Sequence, residues 1–155
     1  MRKKFATLYF AFALLSIGGI AWSQSESHKM VKPDDLKWAD VPSMPPGAKV
    51  AVLEGPLDGK GSIAFRIKLP ANYDIPAHWH PTTEHVTVLS GTLNLGLGDK
   101  LDKNKTSPLP AGGFGIMPAK MHHFAWTKEE TVLQVHAPGP WKFNYVNPAD
   151  APKKK

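Results

Sequence analysis

One short stretch limits what this chain can fold into more than any other: His78-Trp79-His80-Pro81-Thr82-Thr83-Glu84. In an extended strand, side chains at i and i+2 share a face. His78 and His80 therefore project together from one side of a sheet. Pro81 sets a kink, beyond which Glu84 can swing back to the same point. Two imidazoles and a carboxylate aimed at one spot make a divalent-metal site of borderline hardness.

A further nitrogen is available downstream. Gly112 to Met117 leads into Pro118, and a turn through Lys120 leads onto a strand that carries His123. The two stretches together resemble the cupin family. Its first motif reads G-x5-H-x-H-x3-E-x6-G, and His78, His80, Glu84 and Gly91 fall at its spacings. Its second reads G-x5-P-x-G-x2-H, matched by Gly112, Pro118 and His123 after a gap over residues 92–111. The resemblance runs over about residues 61–141. Two positions depart from it: Asn72 stands where the first motif opens with glycine, and Lys120 stands at the glycine of the second. Asparagine tolerates left-handed backbone better than most residues. Lysine does not, which puts the turn's geometry in question and not the identity of the ligand. The resemblance implies a single jelly-roll β-barrel and a metal held by His78, His80, Glu84 and His123.

The first segment reads as a leader. Met1-Arg2-Lys3-Lys4 is basic, residues 5–20 are mostly apolar, and Ala21-Trp22-Ser23 offers a small-x-small cleavage site. The apolar run of 16 residues falls short of the ~20 needed to span a bilayer. The expectation is an exported, periplasmic or secreted protein with no stable membrane anchor after cleavage. The leader holds three of the nineteen basic residues and no acid, so the rest carries sixteen against thirteen acids, or +3. Lys153 to Lys155 lie at the very end. The high isoelectric point thus comes from the two ends, and no basic face for nucleic acid is indicated. With no cysteine, the fold must hold by its core alone.

Strands are read at 49–53, 62–69, 92–97, 114–117, 123–127 and 131–136, with a further candidate over 141–146. Ile63, Phe65, Ile67 and Leu69 alternate cleanly on one face. Fifteen prolines and thirteen glycines punctuate these runs, and no stretch keeps a helical period. The expected layout is a leader at 1–23, a tether and edge segment at 24–47, the barrel at 48–147 and a basic tail at 148–155. Trp38 is read as a core plug.

Three neutral imidazoles and one carboxylate around a divalent ion leave a net charge of about +1 and two open octahedral positions. That favours one divalent transition metal, Mn, Fe or Ni, with Cu, Co or Zn able to occupy the same donors. His85 and His122 alternate with ligands and should face away from the metal. Gln134 and His136 share a strand face: if it is the lumen, they line a substrate pocket, with Trp126 as a further candidate; if not, the face is a solvated outer one and Trp126 is core. The reading that follows is a metal-dependent oxidoreductase of dioxygenase type, acting on a small organic molecule, with a germin-like manganese protein as a variant. The competing readings are a non-catalytic small-ligand or metal-binding module and a purely structural barrel. A homodimer through sheet edges is a further expectation from the resemblance.

Overall fold

The computed structural model describes residues 28–153, and its compact unit begins at Val31. The leader read at residues 1–23 lies outside the described residues. Two antiparallel sheets pack face to face. The first holds β1 (Ala39–Asp40), β2 (Lys49–Glu54), β3 (Gly61–Leu69), β10 (Thr131–Gly139), β5 (Glu84–Ser90) and β8 (Phe114–Met117), in that spatial order. The second holds β11 (Asn144–Tyr145), β4 (Tyr73–Trp79), β9 (His123–Thr127), β6 (Thr92–Leu97) and β7 (Thr106–Pro110). The only helices among the described residues are three single 3-10 turns. This is the expected jelly roll, in which sequence neighbours repeatedly pair across from strands far away in the chain.

The core follows from period-two alternation. Ile63, Phe65, Ile67 and Leu69 of β3 all point inward and are buried. Across the same sheet, Leu133 and Val135 of β10 and Val86 and Val88 of β5 do likewise. Phe65 is fully buried and meets Trp141 edge-on, with ring centroids 4.9 Å apart. Burying one such side chain contributes about 1.5–3 kcal/mol. Val41 and Met44, from the proline-rich segment before β2, also join this core.

Three features of the fold differ from the sequence reading. Trp38 is no core plug: it is half-buried at the edge of the first sheet, with the Lys68 ammonium 4.7 Å from its ring. A strand at 106–110 was not read from the sequence, and it holds Pro108 and Pro110. Both are tolerated because β7 is an edge strand, which needs no donor on its outer side. The strand at 141–146 shrinks to two residues, Asn144 and Tyr145.

The two motif departures resolve in the backbone. Asn72 and Lys120 are the only non-glycine residues among those described with positive φ, at 55° and 64°. Each adopts the left-handed conformation that the motif's glycine would supply, so the turns survive the substitutions. Gly91 shows the reverse case. At φ 74° it turns β5 into β6, and a Cβ there would lie 2.5 Å from the Glu130 carbonyl oxygen.

Candidate metal centre

β4 presents the two paired histidines by breaking its own alternation. Tyr73, Ile75 and Ala77 are buried at odd positions, yet His78 and His80 are buried at even ones. A bulge between Ile75 and His78 in the pairing with β9 shifts the phase by one residue. One strand can therefore feed the core first and the centre afterwards. Pro76 lies in this irregular stretch, where a missing N–H does least harm. Opposite His78 stands His123, its direct partner on β9. Glu84 opens β5, on the facing sheet, beyond the Pro81 bend.

The structure brings these four side chains together, all of them buried. The available nitrogens of His78, His80 and His123 lie within 4.8 Å of one another. Glu84 Oε2 is 3.4 Å from His80 Nε2 and 3.8 Å from His123 Nε2. Donors bound about 2.1 Å from a common ion sit roughly 3–4 Å apart, so little movement separates this arrangement from coordination.

Every imidazole is held by its other nitrogen. His78 Nδ1 lies 2.7 Å from the Pro76 carbonyl, His80 Nδ1 2.7 Å from that of Lys142, and His123 Nδ1 2.9 Å from that of Met121. A carbonyl only accepts, so each Nδ1 must carry the proton. Each Nε2 is then left with a bare lone pair. Such outer hydrogen bonds fix tautomer and ring orientation for metal binding. Two aromatic rings complete the holding: Phe143 stacks on His78 with centroids 3.8 Å apart, and Trp141 stacks on His80 at 5.2 Å.

Electrostatics point the same way. Burial, followed by the neighbouring imidazoles His123 and His80, pushes the His78 imidazolium well below the usual histidine range. Burial alone brings His80 down to about 4, against the pull of the Lys142 carbonyl. Burial lowers His123 too, opposed by its Met121 carbonyl and by Glu84. All three are neutral at pH 7, so their approaches to Glu84 are not salt bridges. Burial raises the Glu84 carboxyl, opposed first by His123 and then by the Trp141 indole N–H. That N–H lies close enough to act on the carboxylate, yet its geometry falls short of a hydrogen bond. The result is a cluster of lone pairs facing lone pairs, which a cation stabilises. The donor set fits a divalent metal, and His78, His80 and His123 could hold one.

The centre opens onto a cavity of about 40 Å³. Apart from the four donors and Trp141, its walls are hydrocarbon, thioether and phenyl groups such as Met44, Ile75, Leu95, Met117, Val135 and Phe143. The three residues expected to line a substrate pocket are elsewhere. Gln134 faces outward from β10 and accepts a hydrogen bond from Arg66 Nε at 3.1 Å. His136 is exposed on the same outer face, directly across from His85. Trp126 donates to Thr106 Oγ1 on the outer side of the second sheet. The physical reason is common to all three: the residues that alternate with them, Leu133, Val135 and Ala125, fill the interior. His122 also faces away, as expected, and pairs with Asp99 at 2.6 Å. Sequence reasoning missed Trp141 and Phe143 as parts of the centre. The short aromatic run at 141–145 was the available signal.

Comparison with known proteins places the fold in a family. Residues 26–142 match the family described as the ChrR cupin-like domain. Among solved structures, the polyketide cyclase RemF from Streptomyces resistomycificus superposes with a TM-score of 0.66 at 21% identity, over 78% of this chain and 87% of that one. An acetylacetone dioxygenase-like protein from Methylibium petroleiphilum gives a TM-score of 0.62 at 18% identity, over 83% and 87%. The complex of Rhodobacter sphaeroides SigE with the anti-sigma ChrR gives 0.53 at 19% identity, over 68% of this chain and 51% of that one. No curated protein sequence matches. At these identities the structural likenesses speak for the fold. The family match spans most of the sequence, and the chain belongs to the ChrR cupin-like family.

Proposed function

We propose that this is an exported cupin that holds one divalent transition metal on His78, His80, Glu84 and His123 and performs oxidoreductase chemistry of dioxygenase type on a small organic molecule. The observation that carries the reading is the set of three Nδ1 hydrogen bonds to backbone carbonyls. They leave three Nε2 lone pairs and a carboxylate converging on one cavity with otherwise apolar walls. When bound, a divalent ion there would supply Lewis acidity or one-electron chemistry to whatever fills its two remaining positions. The chain's own part is to bind, neutralise and exclude. Glu84 offsets one unit of the metal's charge, and the apolar walls keep bulk water out, which strengthens every electrostatic contact inside. None of the wall residues beyond the donors takes up or releases a proton at neutral pH, so proton movement falls to Glu84 or to the bound molecule. Mn, Fe and Ni suit these donors with two positions free.

The cavity size sets the substrate class. A water occupies ~10–15 Å³ on this measure, so about 40 Å³ admits a ligand of a few heavy atoms. A larger molecule must bind through its end. The test begins with metal analysis of protein from its native compartment. The expected result is one divalent ion per chain, lost in His123→Ala. Absence of metal from the wild type would overturn the reading. Oxygen uptake with Fe(II), Mn(II) or Ni(II) against β-diketones, thiols and phenols then tests the reaction.

A second reading rests on a specific observation. Because the cavity offers no acid or base beyond the donors, the centre could bind a small ligand without turning it over. Stoichiometric metal with no uptake for any substrate would favour this binding module. Export rests on the basic start and the short apolar run of residues 5–20. Intact mass of the exported protein should correspond to a chain lacking residues 1–23, and a mass that includes them would overturn this part.

A further inference from the structure

Trp141 Nε1 is the one buried side-chain nitrogen or oxygen among the described residues that has no hydrogen-bond partner. Native proteins leave few such groups, and each calls for a reason. Trp141 is 91% buried, by its 9% exposure, and forms part of the cavity wall. Its ring is fixed on several sides. It stacks on His80, and it meets Phe65 and Phe143 edge-on at 4.9 and 6.1 Å. Its backbone N–H donates to the Leu57 carbonyl at 2.7 Å. Its nearest acceptor is the Glu84 carboxylate, which it influences without reaching hydrogen-bond geometry, and the held ring cannot readily turn to another.

The inventory of the cavity gives the N–H its meaning. His78, His80 and His123 spend their only N–H groups on backbone carbonyls, and Glu84 accepts. Every other wall side chain is apolar. The indole N–H, buried beside Glu84, is thus the one wall donor not already spent on a carbonyl.

We propose that Trp141 is the specificity-determining residue of the metal centre, selecting small anionic oxygen ligands of the carboxylate or enolate class through its indole N–H. The inference rests on the metal-centre reading above. A ligand whose metal-bound end is followed by a second oxygen satisfies the orphan donor as it binds. A thiolate of similar size reaches the metal equally well but offers only a weak acceptor. The N–H therefore favours the oxygen ligand by the scale of a buried, charge-assisted hydrogen bond.

The test uses the full chain loaded with Co(II) under anaerobic conditions, with formate and methanethiolate as probes, read by the ligand-field spectrum. In Trp141→Phe, formate affinity should fall by roughly tenfold or more. Methanethiolate affinity should stay within about twofold, and Co(II) stoichiometry should be unchanged. Site-specific replacement of Trp141 by benzothienylalanine, which exchanges N–H for sulfur at nearly constant shape, should give the same pattern and guards against a packing effect of phenylalanine. Unchanged formate affinity in either variant would overturn the proposal. So would a loss of Co(II) affinity with formate discrimination intact, since the N–H would then serve Glu84 and not the ligand. Failure of the wild type to take up Co(II) would instead remove the metal centre itself, and this proposal with it.

Discussion

Acid should weaken the metal-free protein through His80, by an amount that can be worked out. The imidazole has its ordinary value of 6.5 in the unfolded chain and is brought to about 4 by burial in the fold. Between those values the unfolded chain takes up a proton that the folded protein refuses. Stability is therefore intact above pH 6.5 and is lost progressively as the pH falls toward 4. At ~1.4 kcal/mol per pH unit the full loss is about 3 kcal/mol, of which about 2 kcal/mol is gone by pH 5. Glu84 works in the opposite direction. Its carboxyl is raised, so it takes up its proton more readily in the fold and stabilises the fold on acidification. Other carboxylates contribute their own slopes. The clean quantity is the difference between wild type and His80→Gln. Urea unfolding in the presence of a chelator, followed by far-UV circular dichroism at pH 7, 6 and 5, supplies it. The wild type should lose about 2 kcal/mol more than the variant between pH 7 and 5. A difference below ~0.5 kcal/mol, within ordinary mutational noise, would refute the reasoning.

Further outcomes follow from particular residues. Lys120→Gly should raise stability by ~0.5–1 kcal/mol, because lysine at φ 64° carries a left-handed penalty that glycine escapes; the urea midpoint reads it, and a clear loss would contradict the assignment. Asn72→Gly should be close to neutral by the same assay, since asparagine bears that conformation more easily. Gly91→Ala should destabilise by about 2 kcal/mol or more, as its Cβ would sit 2.5 Å from both the Glu130 carbonyl oxygen and Thr131 Oγ1; the melting temperature checks this. Gln134→Ala and His136→Ala should leave metal stoichiometry unchanged, because both side chains lie on the outer face; metal analysis decides it.

The donors were legible because their signal is local. His78, His80 and Glu84 fall within seven residues, and a strand period with one proline bend carries them to one point. His123 needed the family pattern, since nothing short-range ties it to the other three. The alternation of β3 was equally plain, and it marked the correct inner face. The placement of Gln134 and His136 could not be read, because alternation puts them on one face without saying which face is the lumen. Here the lumen is apolar except for the donors, and Leu133 and Val135 take the inner positions. The β4 bulge could not be read, because strict alternation forbids Ile75 and His78 from sharing an interior. Trp141 and Phe143 escaped notice for a related reason: aromatic residues are ordinary core material, and only the assembled fold shows which ones rest on an imidazole.

The segment Trp141–Val146 contributes no donor, yet it disciplines two of the three imidazoles. It supplies the Lys142 carbonyl to His80, a ring against each of His78 and His80, and pairing of Asn144 and Tyr145 with β4. Tyr145 anchors it further through its hydroxyl, which donates to the Ser43 carbonyl at 2.9 Å. A polypeptide severed before Trp141 would still own all four coordinating side chains, and it would hold them slackly. During synthesis this brace emerges after every residue it steadies, so an ion bound there would be gripped firmly only once the segment has folded back across β4.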